Sequence, residues 1–269
     1  MSENPLGRKS AYPSGYAPQV LHTIDRATGR EPLGLSGALP FSGVDVWTAY
    51  ELTWLDNGGR PVVGILTLTF PADAPNLVES KSMKLYLDSF AMTRHDAPAS
   101  LAAVIEKDLT DATGAPTDVK LVHAARSVSD TISELPGYCI DYEEVECDVY
   151  DRDPALLQCG GDSVSETLHS HLLRSNCPVT GQPDTGSVLI SYHGPRIDAG
   201  SLLRYLVSFR QHPGFHETCV EQIFCDLKDH CGTDELTVYA RYNRRGGIDI
   251  NPFRSNFESL PEGLRLWRQ

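Results

Sequence analysis

The stretch Tyr86-Leu87-Asp88-Ser89-Phe90 returns later in the chain as Tyr205-Leu206-Val207-Ser208-Phe209. A second echo follows each copy. Ile105-Glu106-Lys107-Asp108-Leu109 begins 15 residues past the first phenylalanine, and Ile223-Phe224-Cys225-Asp226-Leu227 begins 14 past the second. Two matches in the same order and almost the same register point to an internal duplication.

The surrounding pattern repeats as well. In the first half, VDVWTAYELTWL (from Val44) and PVVGILTLTF (from Pro61) carry β-branched and aromatic residues and are separated by DNGGR. Asn57-Gly58 is a strong turn signal, so a β-hairpin is expected. ESKSMKLYLDSF then places Met83, Leu87 and Phe90 at helical spacing, and SLAAVIEKDL places Leu101, Val104 and Ile105 on one face. TDVKLVHAA, Thr117 to Ala125, reads as a strand. In the second half, YEEVECDVYD, SETLHSHLLR and GSVLISYHG read as strands. LLRYLVSF is a helix striped by Leu202, Leu206 and Phe209. HETCVEQIFCDL is another, with Val220, Ile223, Phe224 and Leu227 spaced i, i+3, i+4, i+7. DELTVYARYNRR returns as a strand, with GGIDI pairing to it.

The expected fold class is therefore α+β: two similar modules, each an antiparallel sheet with a helix pair on one face. Residues 1–40, rich in Pro, Gly and Ser, read as an N-terminal arm. The first module is expected over 41–130 and the second over 131–269.

Composition bounds the function. The 269 residues suffice for a buried core without staples. A formal charge of 23 − 36 = −13 repels phosphodiesters, so a nucleic-acid footprint is disfavoured and a small-molecule partner favoured. No apolar run approaches the roughly 20 residues that span a membrane. MSENPLGRKSAYPSGYAPQV lacks the apolar centre of a secretory signal, so a cytoplasmic location is the expectation. Seven cysteines in such a chain read as reduced thiols. None forms a CxxC. Cys219, Cys225 and Cys231 recur every six residues, which turns successive thiols by about 240° on a helix. A cysteine-built zinc site is not expected.

The copies differ in their polar groups. Glu79-Ser80-Lys81 begins the first copy's leading helix where the second has Asp198-Ala199-Gly200. His216-Glu217 opens the second copy's other helix where the first has Pro98-Ala99. Glu79 and Ser80 read either as a capping segment beside solvated lysines, or as a carboxylate for a ligand's N–H groups with Lys81 and Lys84 near a phosphate. His216 and Glu217 read either as an acidic first turn, or as recognition of a base edge, since a carboxylate accepts two parallel hydrogen bonds from an N–H and a neighbouring NH₂. Arg244-Arg245-Gly246-Gly247 reads either as a charged turn or as a phosphate contact. Neither GxGxxG nor GxxxxGK[ST] is present.

Ser175-Asn176-Cys177-Pro178 precedes Gln182-Pro183-Asp184 in one turn-rich loop. Cys177 is either a small buried hydrophobe or a nucleophile. An ordinary thiol, with pKa about 8.5, is only a few per cent thiolate at pH 7, so a nucleophile needs a base, a cation or a helix N-terminus nearby. A fixed charge on Asp184 works against a thiolate; a carboxyl that carries a proton could deliver it instead.

Taken together, these motifs resemble one family. Glu79-Ser80-Lys81-Ser82-Met83-Lys84-Leu85-Tyr86 looks like the signature of the 7-cyano-7-deazaguanine reductases, the nitrile reductases of queuosine biosynthesis. The Cys177 loop through Asp184, His216-Glu217, Arg244-Arg245-Gly246-Gly247, REPLGL near Glu31 and INPFRSN near Asn251 match too, in order. The tandem arrangement resembles the family's long, two-module form.

The resemblance implies a tunnelling fold in each module, and NADPH-dependent reduction of the nitrile of 7-cyano-7-deazaguanine to an aminomethyl group through a thioimide, as a step toward tRNA modification. It implies Cys177 as nucleophile and Asp184 as proton donor. It implies that Val78, Glu79, Ser80, His216 and Glu217 contact the base, and that Ser80, Lys81, Arg245 and Gly246 contact NADPH. No metal is implied. Exposed sheet edges in such modules favour a homo-oligomer, with a dimer expected. Two other readings stay open: a zinc-dependent cyclohydrolase of the same fold, and a non-catalytic purine- or pterin-binding module.

Overall fold

The computed structural model describes residues 12–124, 132–261 and 264–269; the expected module boundary at 130/131, most of the arm's first residues and the end of the TDVKLVHAA segment at Ala125 lie outside them. Two units divide the chain. One takes the described residues of Met1–Gly37, Asp45–Asp130 and Arg244–Asp249, the other those of Ala38–Val44, Thr131–Asn243 and Ile250–Gln269.

In the first unit, β1 (Thr23–Asp25) leads into a short helix, α1 (Ala27–Arg30). Two long strands follow, β2 (Ser42–Leu55) and β3 (Pro61–Pro71). Burial alternates with period two along β3 (Leu66, Leu68 and Phe70) and along each half of β2, where Trp47 and Ala49 are followed, after a one-residue slip at Tyr50-Glu51, by Leu52 and Trp54. The hairpin between them is as expected, but its left-handed residue is Gly59 (φ 82°), not the Asn57-Gly58 pair. Gly59 N–H donates to Asp56 O and Asp56 N–H to Arg60 O, both at 2.9 Å. The loop is thus a turn completed by a left-handed glycine, the next commonest hairpin closure after the two-residue kind.

A short strand, β4 (Asn76–Val78), pairs antiparallel with β1 and runs directly into α2 (Ser80–Asp88). The second helix, α3 (Pro98–Thr113), has Pro at its first position and ends on left-handed Gly114. Leu101, Ile105 and Leu109 form its fully buried stripe. The last strand, β5 (Asp118–His123), pairs antiparallel with β3, giving the order β5-β3-β2.

The second unit repeats this plan with longer strands. A two-residue strand, β6 (Tyr138–Cys139), lies parallel to β7 (Cys159–Asn176), and β7 pairs antiparallel with β8 (Pro183–Ile197). The helices α4 (Ala199–Ser208) and α5 (His216–Cys231) follow, then β9 (Glu235–Tyr242) and β10 (Ile248–Ser255). The strand order is β10-β9-β8-β7-β6. The second helix again ends on a left-handed glycine, Gly232.

One expected strand is absent. YEEVECDVYD, residues 142–151, runs outside the sheet, and its end and the two residues that follow bond to the helix layer. Tyr150 O accepts from Gln211 N–H (2.9 Å), Asp153 N–H donates to Ser208 Oγ (3.2 Å), and Arg152 grips Asp226 through Nε (2.8 Å) and Nη2 (2.5 Å). Its alternating pattern suits covering a helix pair as well as joining a ladder.

The repeated letters turn out to make the same bonds twice. Tyr86 Oη donates to Asp108 Oδ2 (2.7 Å) and Tyr205 Oη to Asp226 Oδ2 (2.5 Å), each tying one helix of a pair to the other. Ser89 Oγ donates to Tyr86 O and Ser208 Oγ to Tyr205 O, both at 2.6 Å. Tyr86–Phe90 and Tyr205–Phe209 stack edge-to-face at 5.2 and 5.4 Å. The helix starts match too: Glu79 and Asp198 cap α2 and α4 by accepting from Ser82 N–H (2.8 Å) and Ser201 N–H (2.7 Å). Among the described residues, no helix is long and apolar enough to cross a membrane.

Because the Tyr205–Asp226 bond is buried and the Tyr86–Asp108 bond partly so, Tyr205→Phe or Tyr86→Phe should lower the unfolding free energy by about 1–3 kcal/mol in urea titrations. An unchanged midpoint in both would remove the latch from the account. Burial first, and the adjacent carboxylate next, push the ionisation of Tyr86 and Tyr205 above the ordinary value of about 10. The folded state therefore holds these protons more tightly than the unfolded chain. That contribution is complete below about pH 10 and is lost as pH climbs through the folded values. Unfolding free energy should decline above about pH 10; a rise there would contradict the assignment.

Candidate active site

The β7–β8 hairpin decides where Cys177 sits. The thiol residue follows the last residue of β7 and the tip spans 177–182. Cys177 N–H donates to Gln182 O (2.8 Å) and Gly181 N–H to Cys177 O (2.9 Å), so the tip closes on the cysteine's own peptide groups. Gly181 makes the reversal with φ 66°. Asp184 belongs not to the loop, as its neighbours suggest, but to β8, where it pairs with Ser175 and is 4% exposed. Cys177 itself is half-buried.

The start of α5 is fastened to the same hairpin. Asn176 N–H donates to His212 O (2.9 Å) and Gly214 N–H to Asn176 O (3.0 Å). These bonds hold the segment leading into α5 beside the cysteine. His212 Nε2 shares a hydrogen bond with Gln222 Oε1 (2.8 Å), which ties that segment back onto the helix. His216 then places Nε2 3.7 Å from Asp184 Oδ1, an ion-pair distance when the imidazole is protonated. The ring stands edge-on to Tyr242, with centroids 4.0 Å apart. Glu217, in the first turn, is 4% exposed. A carboxylate is favoured there by the helix N-terminus. Cys219, one turn on, is a different thiol: burial pushes its pKa up to about 12, which keeps it protonated and inert. The second unit thus gathers a half-buried thiol, a buried carboxyl, an imidazole and a second carboxyl on a hairpin tip and a helix start.

The first unit presents Val78, Glu79, Ser80 and Lys81 at the junction of β4 and α2. Val78 is buried and pairs with Thr23. The capping reading of Glu79 is realised: Oε1 accepts from Lys81 N–H (2.7 Å) and Oε2 from Ser82 N–H (2.8 Å). A carboxylate offers about four lone-pair sites, so a capping role leaves acceptor capacity for a ligand.

Lys81 also lines a pocket of about 480 Å³ within this unit, with Lys84, Glu51, Tyr12, Gly246 and Gly247. Gly246 and Gly247 form a tight turn between Arg245 and Ile248, with φ of 57° and 76°. Two successive positive values are the pattern of the type I′ hairpin turn, which favours glycine. A Cβ on Gly246 would lie 3.1 Å from the Lys84 side chain, and one on Gly247 would lie 2.7 Å from the Glu51 carboxyl group. The glycines therefore let backbone, ammonium and carboxylate approach closely. Tyr50 N–H holds the turn by donating to Gly247 O (2.9 Å), and Arg244 stacks 4.5 Å over the Tyr50 ring. Arg245 does not line the pocket, although its neighbour Gly246 does.

Some participants carried no legible signal. Tyr242 ends a strand and Glu51 lies mid-strand; each reads as an ordinary sheet residue. Two of the family motifs, in contrast, have structural tasks. Arg254, fully buried, donates to Glu221 through Nε (3.0 Å) and Nη2 (2.8 Å), fixing α5 one turn beyond Glu217. Arg30 Nη2 donates to Ala72 O (2.6 Å).

Known proteins carry similar sequences. Residues 12–121 match a family described as nitrile reductase, 7-cyano-7-deazaguanine-reductase N-terminal, and residues 183–260 one described as QueF-like protein. A protein of Bordetella pertussis named NADPH-dependent 7-cyano-7-deazaguanine reductase is 54% identical over 271 residues, spanning 100% of this chain and 99% of the relative. Proteins of the same name from Bordetella avium and Burkholderia vietnamiensis are 52% and 50% identical, covering 100% and 99% of this chain and 99% and 98% of their own length. With this identity end to end, the chain belongs to the family of NADPH-dependent 7-cyano-7-deazaguanine reductases.

Proposed function

We propose that the chain reduces the nitrile of 7-cyano-7-deazaguanine to an aminomethyl group, at the expense of NADPH and through a covalent adduct on Cys177. The observation that carries this is the hairpin tip: a half-buried thiol closed into a short loop, with buried Asp184 on the adjoining strand and His216 3.7 Å from that carboxylate. The product serves tRNA queuosine biosynthesis. The ligand is a free base, so the −13 formal charge is no obstacle, and no direct nucleic-acid contact is needed.

The residues divide the work. A nitrile carbon accepts hydride poorly. The Cys177 sulfur adds to it, forming a C–S bond, while Asp184 gives its proton to the nitrile nitrogen; the result is a thioimide with a more electrophilic C=N. NADPH supplies hydride when bound, twice per nitrile. After the first reduction the C–S bond breaks and Cys177 leaves as thiolate, the form in which its sulfur adds to a nitrile, so the nucleophile is regenerated. Glu79 and Glu217 accept the base's N–H groups, with Val78, Ser80 and His216 against the ring. His216 also faces Asp184, with Nε2 3.7 Å from its carboxylate. Two ammonium groups beside the closely approached backbone of Gly246 suit a phosphate-bearing cofactor. Lys81 and Gly246, together with Ser80 and Arg245, are the residues assigned to NADPH. The imine stage would hydrolyse if exposed, so exclusion of water is part of the assignment. A cytoplasmic homo-oligomer, with a dimer favoured, fits this reading.

Replacing the nucleophile tests the mechanism. Cys177→Ala should lower nitrile-dependent NADPH oxidation by about 10³-fold or more while leaving the circular dichroism spectrum unchanged. A variant turning over at the wild-type rate would end the proposal. Asp184→Asn, which is nearly isosteric but a far weaker acid, should slow thioimide formation by about 10²–10⁴-fold in rapid-mixing experiments. Unaltered adduct kinetics would remove Asp184 from proton delivery.

A further inference from the structure

Cys139, His169 and His171 come together in the second unit, although thirty positions of sequence separate the cysteine from the first histidine. Each offers one ligand atom, and these atoms lie within 4.8 Å of one another. Among the described residues this is the one such trio. None of the three has a task in the nitrile chemistry.

The fold brings them together by a specific device. The two-residue strand β6 runs parallel to β7 and sets Cys139 opposite His169. A register irregularity between Ser170 and Leu173 then re-aims His171, and its ring lies 5.3 Å from that of His169. His171 Nδ1 meets Ser187 Oγ at 2.8 Å. Ser187 and Asp184 are three residues apart on β8, so they point to opposite faces of the sheet. The trio therefore lies on the face away from Asp184 and His216.

Two features suit metal binding. His169 Nδ1 lies 3.0 Å from Pro136 O. A carbonyl oxygen only accepts, so Nδ1 carries the proton and Nε2 carries the lone pair. Ligating histidines are commonly held this way, by an acceptor on the other ring nitrogen. Asp141 supports the second histidine: its carboxylate accepts from Ser170 Oγ (2.6 Å) and from His171 N–H (3.0 Å), fixing the backbone there and placing a negative charge close by. His169 is 8% exposed, so the position is sheltered.

We propose that Cys139, His169 and His171 bind a divalent cation of the zinc class. One thiolate and two imidazoles are borderline-soft donors that favour tetrahedral Zn²⁺ over Mg²⁺ or Ca²⁺, and three protein ligands leave a fourth position for water. Zinc–ligand distances of about 2.0–2.3 Å place tetrahedral donors about 3.5 Å apart, so the trio closes by roughly 1 Å on binding. The cation clips the short strand β6 to β7. It is a staple at the sheet edge, not a participant in reduction.

Cobalt is the probe. The full-length chain, stripped with chelator and titrated with Co²⁺, should bind one equivalent with a thiolate-to-metal charge-transfer band and the visible bands of four-coordinate cobalt. Cys139→Ser should abolish the charge-transfer band, and His171→Ala should weaken binding at least tenfold. Cys177→Ala should keep both band and affinity. Zn²⁺ should displace the cobalt and, at a hundredfold excess over its Kd, raise the melting temperature of the wild-type chain by roughly 5–10 °C but not that of Cys139→Ser. Absence of saturable binding would overturn the proposal. So would a band that survives Cys139→Ser or disappears in Cys177→Ala.

Discussion

The closure of the β7–β8 hairpin is the constraint on which the candidate site depends. Two backbone hydrogen bonds, Cys177 N–H to Gln182 O and Gly181 N–H to Cys177 O, leave the thiol at the tip no freedom to drift from the strand ends. The same register fixes Asp184 opposite Ser175, inside the sheet rather than in the loop. Reaction by addition across a triple bond needs a sulfur and a proton source held together. A strand pair does this better than a mobile loop, because its geometry is enforced by a ladder on both sides. The segment from His212 to Gly214 extends that control to α5, so His216 and Glu217 are aimed by the hairpin as well.

Gene duplication supplied the frame and divergence supplied the chemistry. Both units keep the tyrosine–aspartate bond, the serine that bonds back to its own helix, and a capping carboxylate. These are the interactions that hold two helices on a sheet. At the helix starts, where backbone N–H groups face outward, the copies part company. Glu79-Ser80-Lys81 has a lysine where Asp198-Ala199-Gly200 has glycine, and His216-Glu217 stands where the first copy has Pro98-Ala99. The polar groups that differ between the copies sit at positions the latch does not use.

The legible part of the sequence was the part with local cause. Helix stripes, the first hairpin and the duplicated motifs follow from periodicity and turn chemistry, and the structure keeps them, with the hairpin's left-handed residue moved to Gly59 and the α3 stripe running through Leu109 in place of Val104. YEEVECDVYD misled because alternation of apolar and acidic residues serves equally to edge a sheet or to cover helices; only Arg152 finding Asp226 settles which. Asp184 was legible as a neighbour of Cys177 but not as a strand residue, since Pro183 reads as a break. Tyr242 beside His216 and the Cys139–His169–His171 trio arise from non-local pairing, which no spacing rule could reveal. Arg254 and Arg30 show the converse: motifs that mark the family do so partly because they hold its core.

The account's central claim is that the Cys177 sulfur forms a bond to the cyano carbon before any hydride arrives. Intact-mass measurement of the wild-type chain, mixed with 7-cyano-7-deazaguanine and no NADPH, tests it most directly. The account predicts that the protein's mass increases by that of one substrate molecule, with the label mapping to Cys177 after digestion. A mass that stays unchanged at saturating nitrile, or a label on another cysteine, would contradict it.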